Sequence, residues 1–355
     1  MRIVRVESWR SAVPLSRPYT ISQVTTSAVD LQFVRIVSSG RHVGLGSANA
    51  ATRVTGETAD ECEAALKNQA KSLLEGQDPR RLPFLLRELE HRLPDQPGAR
   101  AALDMALHDL AARELELPVT ELFGRRHESL PTSITIGILP VDQTLAEAKE
   151  YLGRGFRHLK VKIGRSLEED LERLTRLREV HGDSIQIRVD ANEGYSFEET
   201  KKALAATEGL RLEFLEQPMP RADIAALEQL PREQLQKIAL DESVHDDRDA
   251  LALLRRPLTP GLFVIKLMKC GGLGPALRVA RLAELSGIRL MWGCMDESLL
   301  GITAALHAAL ACQATRYLDL DGSFDLAADP ATGGFLLENG RLSLPDRPGL
   351  GVRLE

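Results

Sequence analysis

Two periods of hydrophobic and polar residues run along this chain, and they change in a definite order. RIVRVESW (2–9) and LQFVRIVS (31–38) alternate or run apolar in the way strands do, because successive strand side chains point to opposite faces. SSGRH, between LQFVRIVS and VGLGSA, predicts a hairpin turn. From Thr58 to about Arg113 the period becomes helical. Ala102, Met105, Ala106 and Asp109 fall at i, i+3, i+4 and i+7 in a segment rich in Ala, Leu and Glu. PDQPG (94–98) separates two of these helices.

A repeat then begins. TSITIGI (132–138), RHLKVKI (157–163), IQIRVD (185–190), LEFLE (212–216), KIALDE (237–242), FVIKLM (263–268), IRLMWG (288–293) and RYLDLD (316–321) are short apolar segments. Most carry a charge at or near the end, and a helix-like stretch follows each. Lys162, Asp190, Glu216, Asp241 and Lys266 succeed one another at intervals of 25 to 28 residues. Short strands alternating with helical spacers predict an α/β fold with a parallel sheet, and eight of them predict a closed barrel. After the eighth strand the repeat stops at AADPATGG (327–334). FLLENGRLSL follows, with Asn339-Gly340 as a hairpin turn. The expected division is an N-terminal domain over 1–125, the barrel over 126–325, and a tail over 326–355 that returns to the N-terminal domain.

Composition narrows the function classes. The chain has 355 residues, 43% of them hydrophobic and 27% charged, enough for a sizeable core. Its net charge of −6 argues against a nucleic-acid surface. No apolar run approaches the roughly 18 residues of a membrane span, and MRIVRVESWR has no signal-peptide core. Cys62, Cys270, Cys294 and Cys312 are scattered without a CxxC pair, which fits reduced thiols in a cytoplasmic protein. His108 and His307 are expected to pack in the core.

In a barrel of this kind catalytic side chains come from the C-terminal strand ends. Asp190, Glu216 and Asp241 would stand on the third, fourth and fifth strands. A lone aspartate at a strand end is usually a turn or helix cap. Three converging carboxylates need a counter-charge, and an all-oxygen set favours Mg2+, one per subunit. Lys162 on strand two and Lys266 on strand six would face each other across the mouth, with Lys160 on the same face as Lys162. Such a pair can remove a proton from one face of a carbon and return one to the other, while the metal stabilises an enediolate. Asp319 and Asp321, two apart in RYLDLDG, share a face. Two like charges there call for a cation, which could be a metal, a lysine or a substrate.

LKVKIG, VDANEGY, FLEQP, LDES and FVIKLMKCGG together resemble the enolase superfamily, in its muconate lactonizing enzyme subgroup. PLSRPYTIS, VTGET and ALDMALHDLAAR extend the resemblance over nearly the whole chain. The resemblance implies a modified TIM barrel, (β/α)7β, with an α+β capping domain formed by the N-terminal region and the C-terminal tail. It implies Lys162 and Lys266 as the acid/base pair, Asp190, Glu216 and Asp241 as Mg2+ ligands, and Lys160 beside the substrate carboxylate. Asn192, Glu242 and Glu297 would support these groups. The cap loops SQVTTS (22–27) and SANAATRV (47–54) would cover the mouth, placing Val24 and Arg53 near the substrate, with Thr135 on the first barrel strand.

The subgroup includes cycloisomerases, o-succinylbenzoate synthases, N-acylamino acid racemases and dipeptide epimerases. Asp-x-Asp at the end of strand eight resembles the dipeptide epimerases, where it receives the substrate ammonium. Substrates lacking an ammonium would leave two buried carboxylates uncompensated. The expected activity is therefore inversion of the α-carbon of the C-terminal residue of an L,L-dipeptide, and the resemblance also implies a homo-oligomer. The alternative is an N-succinylamino acid racemase or o-succinylbenzoate synthase. Relatives acting on Ala-Glu tend to carry a basic residue in the first cap loop, which SQVTTS lacks. Asp296 could receive a cationic side chain, or cap the helix that begins near Ser298. The expected preference is for cationic or small and hydrophobic side chains over Ala-Glu.

Overall fold

The alternating segments at the start pair into a three-stranded antiparallel sheet of Ile3–Thr20, Thr25–Ser38 and Val43–Asn49. The computed structural model describes residues 1–20, 25–257 and 260–355. SSGRH makes the turn, with Arg41 at φ 68° and Val37 opposite Val43. The helix Ala59–Asn68 begins at VTGET, where Thr58 and Glu61 form a reciprocal capping box.

Helix Pro97–Glu114 lies across strand Val43–Asn49 and on the short helix Leu267–Cys270 of the barrel, so almost every side chain in it is buried. The approach to the sheet requires glycine. A Cβ on Gly44 or Gly46 would fall 2.0 Å from Ala106 O or 1.9 Å from Ala102 O. This helix also carries the polar ties between parts of the chain. Asp104 accepts from Leu273 N (2.7 Å) and Gly274 N (3.1 Å), capping helix Leu273–Leu285, whose own cap residue is Gly272. Asp109 accepts from Leu45 N (2.9 Å) and Leu350 N (2.7 Å), joining the sheet to the C-terminal tail. His108 is buried against Asp104, and His307 is buried with its Nδ1 accepting from Thr120 N.

The repeat folds into eight parallel strands in sequential order: Ser133–Ile136, His158–Lys162, Gln186–Asp190, Leu215–Glu216, Ile238–Leu240, Leu262–Ile265, Arg289–Gly293 and Thr315–Asp319. A parallel bridge from Thr132 to Leu318 closes the ring. The unit after strand four departs from the repeat, with a 3-10 segment Arg221–Gln229 and a four-residue helix Arg232–Leu235. Inside the barrel the lower layers are apolar, built on Phe214, Ala239, Leu262, Val264 and Met291. The carboxylates and lysines of the mouth lie above them, and the Arg188 guanidinium is buried against Phe214 and Tyr317.

After strand eight no crossover helix follows. Ala331–Gly333 pairs with Val352–Leu354, and Leu336–Glu338 pairs with Arg341–Ser343 around the Asn339-Gly340 turn. The tail touches both sides: Arg341–Ser343 pairs with Ser129–Pro131, while Val119 N donates to Gly349 O. All four cysteines are free. Among the described residues no helix is long and apolar enough to cross a membrane.

Candidate active site

The strand register sets the site. Thr135, Lys160 and Arg188 are successive partners across strands one to three, and Lys162 pairs with Asp190, which pairs with Glu216. Residues two apart on one strand share a face, so this register brings Lys162, Asp190 and Glu216 into the barrel mouth together. Asp241 lies just past the end of strand five. Gln217 holds it there: its Oε1 accepts from Asp241 N (3.0 Å) and Ser243 N (3.2 Å), and its Nε2 donates to Met219 O and Ser243 Oγ. Gln217 has φ 29°, a sparsely populated conformation retained where these bonds over-determine it.

Lysine ammonium groups interleave with these carboxylates. Lys160 Nζ lies 2.8 Å from Asp319 Oδ2, 3.0 Å from Glu216 Oε1 and 3.1 Å from Asp190 Oδ2. Lys162 Nζ is 2.7 Å from Asp190 Oδ2 and 3.1 Å from Asn192 Oδ1. Lys266 Nζ is 2.7 Å from Asp241 Oδ2. Lys269, which the sequence reading did not single out, donates to Asp241 O (2.6 Å) and also meets Asp241 Oδ1. Its only signal was its place three residues after Lys266, one turn into the short helix.

These pairings set the charge states. Burial raises the Glu216 carboxyl far above its ordinary value, and Asp190 beside it adds to this. Burial opposes ionisation of Asp190 and Asp241 too, but Lys162 and Lys266 respectively outweigh it, so both are held low. Burial also works against the Lys160 and Lys266 ammonium groups, yet Asp319 and Asp241 hold them raised.

The residues fit a hard divalent cation by their chemistry. Five buried carboxylates (Asp190, Glu216, Asp241, Asp319 and Asp321), with the half-buried Glu242, face four buried lysines. Glu216 Oε2 lies 2.9 Å from Lys160 Nζ, yet among the described residues it accepts no hydrogen bond. Both facts leave room for further positive charge on an all-oxygen donor set. Among the described residues no three of His, Cys, Asp and Glu already form a closed metal cage, since the lysines stand between them.

The supporting residues are partly where the sequence placed them. Asn192, at φ 42°, accepts from Lys162 and donates to Glu242 Oε1 at 3.1 Å. Burial, then Asp241 and Asp190, push Glu242 up to about 7. Glu297 is buried, accepts from Met295 N, and is likewise pushed up to about 7 by burial. Arg53 is exposed on helix Thr52–Thr55, with Nη2 3.4 Å from Asn192 O. Asp296 lines the mouth, and its carbonyl accepts from Asn49 Nδ2 of the second cap loop. The helix Leu299–Ala311 is capped by Ser298 and Asp329. Val24 lies outside the described residues.

Asp319 and Asp321 line one cavity with Lys160, Lys162, Lys266 and Thr135, but they do different things. Asp319 is matched by Lys160 and by Ser133 Oγ (2.7 Å). Asp321 accepts from Thr135 N (2.6 Å) and meets no cation among the described residues. Burial, Asp319 and Asp325 push it up to about 7. The cation sought for the pair in RYLDLDG is thus a lysine for Asp319, and is still to be supplied for Asp321.

A parallel barrel whose mouth presents paired lysines around clustered carboxylates defines an enzyme of proton-transfer type, and the comparisons with known proteins agree. Residues 3–124 match the mandelate racemase / muconate lactonizing enzyme N-terminal domain, and residues 143–355 match the enolase C-terminal domain-like family. The chain belongs to this family of the enolase superfamily and is an isomerase. It is 52% identical over 352 residues to an L-Lys-D/L-Arg epimerase of Methylococcus capsulatus, covering 99% of both chains. It is 33% identical over 355 residues to the L-Ala-D/L-Glu epimerase of Bacillus subtilis, covering 99% of this chain and 97% of that one. Among solved structures, a Methylococcus capsulatus dipeptide epimerase complexed with Mg and L-Arg-D-Lys superposes with a TM-score of 0.97 at 52% identity, covering 99% of both chains.

Proposed function

We propose that this chain is a Mg2+-dependent dipeptide epimerase that inverts the α-carbon of the C-terminal residue of L,L-dipeptides with cationic side chains. The observation that carries it is the placing of Lys162 and Lys266, on strands two and six, around one carboxylate cluster in one cavity. When bound, Mg2+ would be held by Asp190, Glu216 and Asp241, supplying positive charge that draws these carboxylates off the lysines and favours negative charge on the substrate carboxylate.

Lys160 adds a second positive charge for the substrate carboxylate and does not move protons itself, its ammonium being held by Asp319. Lys162 removes the α-proton from one face, and Lys266 delivers a proton to the other. Asp321 receives the N-terminal ammonium. For the side chains, Glu147 and Asp325 line the same cavity, and neither has a cation within ion-pair distance among the described residues. Arg17, which lines the same wall, is engaged in two bonds of 3.0 Å to Glu150. Such a wall favours a cationic substrate residue over glutamate. The curated relatives named for L-Lys-D/L-Arg support the same preference.

A substrate panel tests this. Lys-Arg and Arg-Lys dipeptides should epimerise well ahead of Ala-Glu and of N-succinylarginine. If the succinylated amino acid reacted fastest, the racemase alternative would replace this reading.

A further inference from the structure

Arg188 is 1% exposed, on strand three directly beside Lys160 and two residues before Asp190. A guanidinium inside a barrel is costly unless all its donors are met. Here Nε donates to Glu213 Oε2 (2.7 Å), Nη1 to Leu318 O (2.7 Å) and Ser133 Oγ (3.2 Å), and Nη2 lies 3.2 Å from His158 Nδ1. Its flat faces rest on Tyr317 and Phe214, with Cζ 4.8 and 5.8 Å from the ring centroids.

The consequence appears at Ser133. A serine hydroxyl has one hydrogen and two lone pairs. Arg188 Nη1 fills a lone pair of Ser133 Oγ and already occupies Leu318 O at 2.7 Å. With that lone pair filled, the Ser133 hydrogen goes to Asp319 Oδ1 at 2.7 Å, a closer and charged acceptor than Leu318 O at 3.2 Å. The other Asp319 oxygen holds Lys160 Nζ. Lysine has a flexible stem, so its ammonium stays in one place only if its acceptors are fixed. Charges alternate along this line: Glu213, Arg188, Asp319, Lys160, Glu216.

We infer that Arg188 is a positioning residue: through the Ser133 hydroxyl it orients Asp319, and Asp319 fixes the Lys160 ammonium against the place of the substrate carboxylate. Its effect on turnover rests on the function proposed above, whereas its effect on Lys160 does not. The test variant is Ser133→Ala, which leaves Arg188 its bonds to Glu213, Leu318 and His158.

One arm needs no substrate. In deuterated, 15N-lysine-labelled protein, the solvent-protected Lys160 ammonium resonance, assigned with Lys160→Met, is expected to be lost or exchange-broadened in Ser133→Ala. An unchanged resonance overturns the inference whatever the substrate is. The second arm is kinetic. Ser133→Ala should lower kcat roughly tenfold, less than the loss for a direct transition-state donor, with KM changed less than threefold. On an Asp319→Asn background the same change should shift kcat less than twofold. Independent multiplication of the two effects, or a rise in KM with kcat unchanged, overturns the relay. If wild-type protein exchanges no α-proton on any dipeptide, the proposed function fails and the resonance alone decides this inference.

Discussion

Lys160 Nζ and Asp319 Oδ2 form a buried ion pair at 2.8 Å, joining strand two to strand eight across the barrel interior. This pair separates two aspartates that look equivalent in sequence. Asp319→Asn should act through Lys160 and lower kcat. Asp321→Asn should raise KM for dipeptides by about 10- to 100-fold, the range of a hydrogen bond to a charged group, with a smaller effect on kcat. Steady-state kinetics on both variants checks the split; equal effects on KM would place the ammonium on both carboxylates.

The lysine pair predicts stereochemically divided losses. Lys162→Met and Lys266→Met should each reduce epimerisation by at least about 10²- to 10⁴-fold, the range for a lost general base or acid. Each variant should still exchange the α-proton of one enantiomeric form of the C-terminal residue, and the two should differ in which. Deuterium incorporation into L,L- and L,D-dipeptides measured separately reads this out.

Glu147 and Asp325 are expected to govern the side-chain preference. Glu147→Gln and Asp325→Asn should reduce kcat/KM for Lys- and Arg-containing dipeptides by about 5- to 50-fold, in keeping with a partly exposed charge pair, and leave Ala-Ala little changed. Parallel kinetics on cationic and neutral dipeptides checks this. A uniform loss on all substrates would show a structural role.

Two buried groups away from the lysines shape stability against pH. Burial lowers His307 to about 3, and its Nδ1 accepts from Thr120 N, so the fold requires the neutral ring. The folded value lies below the unfolded one of about 6.5. Its contribution is therefore present above pH 6.5 and lost as pH falls from there toward 3. Burial raises Glu57, at the start of helix Pro97–Glu114, to about 7 although it accepts from Gly98 N. Its contribution is full below the unfolded value near 4.5 and lost as pH rises through 7. Thermal melts should show Tm falling on both sides, and Glu57→Gln should flatten the fall between pH 5 and 8.

Much of the barrel was legible because its signal is local. Eight short apolar segments, most with charged ends, become eight strands, and the even spacing of Lys162, Asp190, Glu216, Asp241 and Lys266 places them around one mouth. The roles within that mouth were less legible. Asp319 and Asp321 share a face in sequence, but what separates them is Lys160, about 160 positions away and reached only once the ring closes. Gln217, Lys269, Ser133 and Arg188 were not singled out in the sequence, because their partners come from other strands. Ser298 and Asp329 cap the helix that follows Asp296, and the Asp329 contact, about 30 residues away, had no signal in the sequence. SQVTTS carries Val24 and falls largely outside the described residues, so the first cap loop adds nothing beyond its sequence.

The central claim is that Lys162 and Lys266 exchange the α-proton of the C-terminal residue of a dipeptide with Mg2+ present. The most direct measurement is NMR of L-Arg-L-Lys and L-Lys-L-Arg incubated with the enzyme and Mg2+ in D2O. The expected result is loss of the α-proton signal of the C-terminal residue alone, together with appearance of the L,D diastereomer. Full retention of that proton across a broad dipeptide panel, or exchange at the N-terminal residue, would contradict the claim.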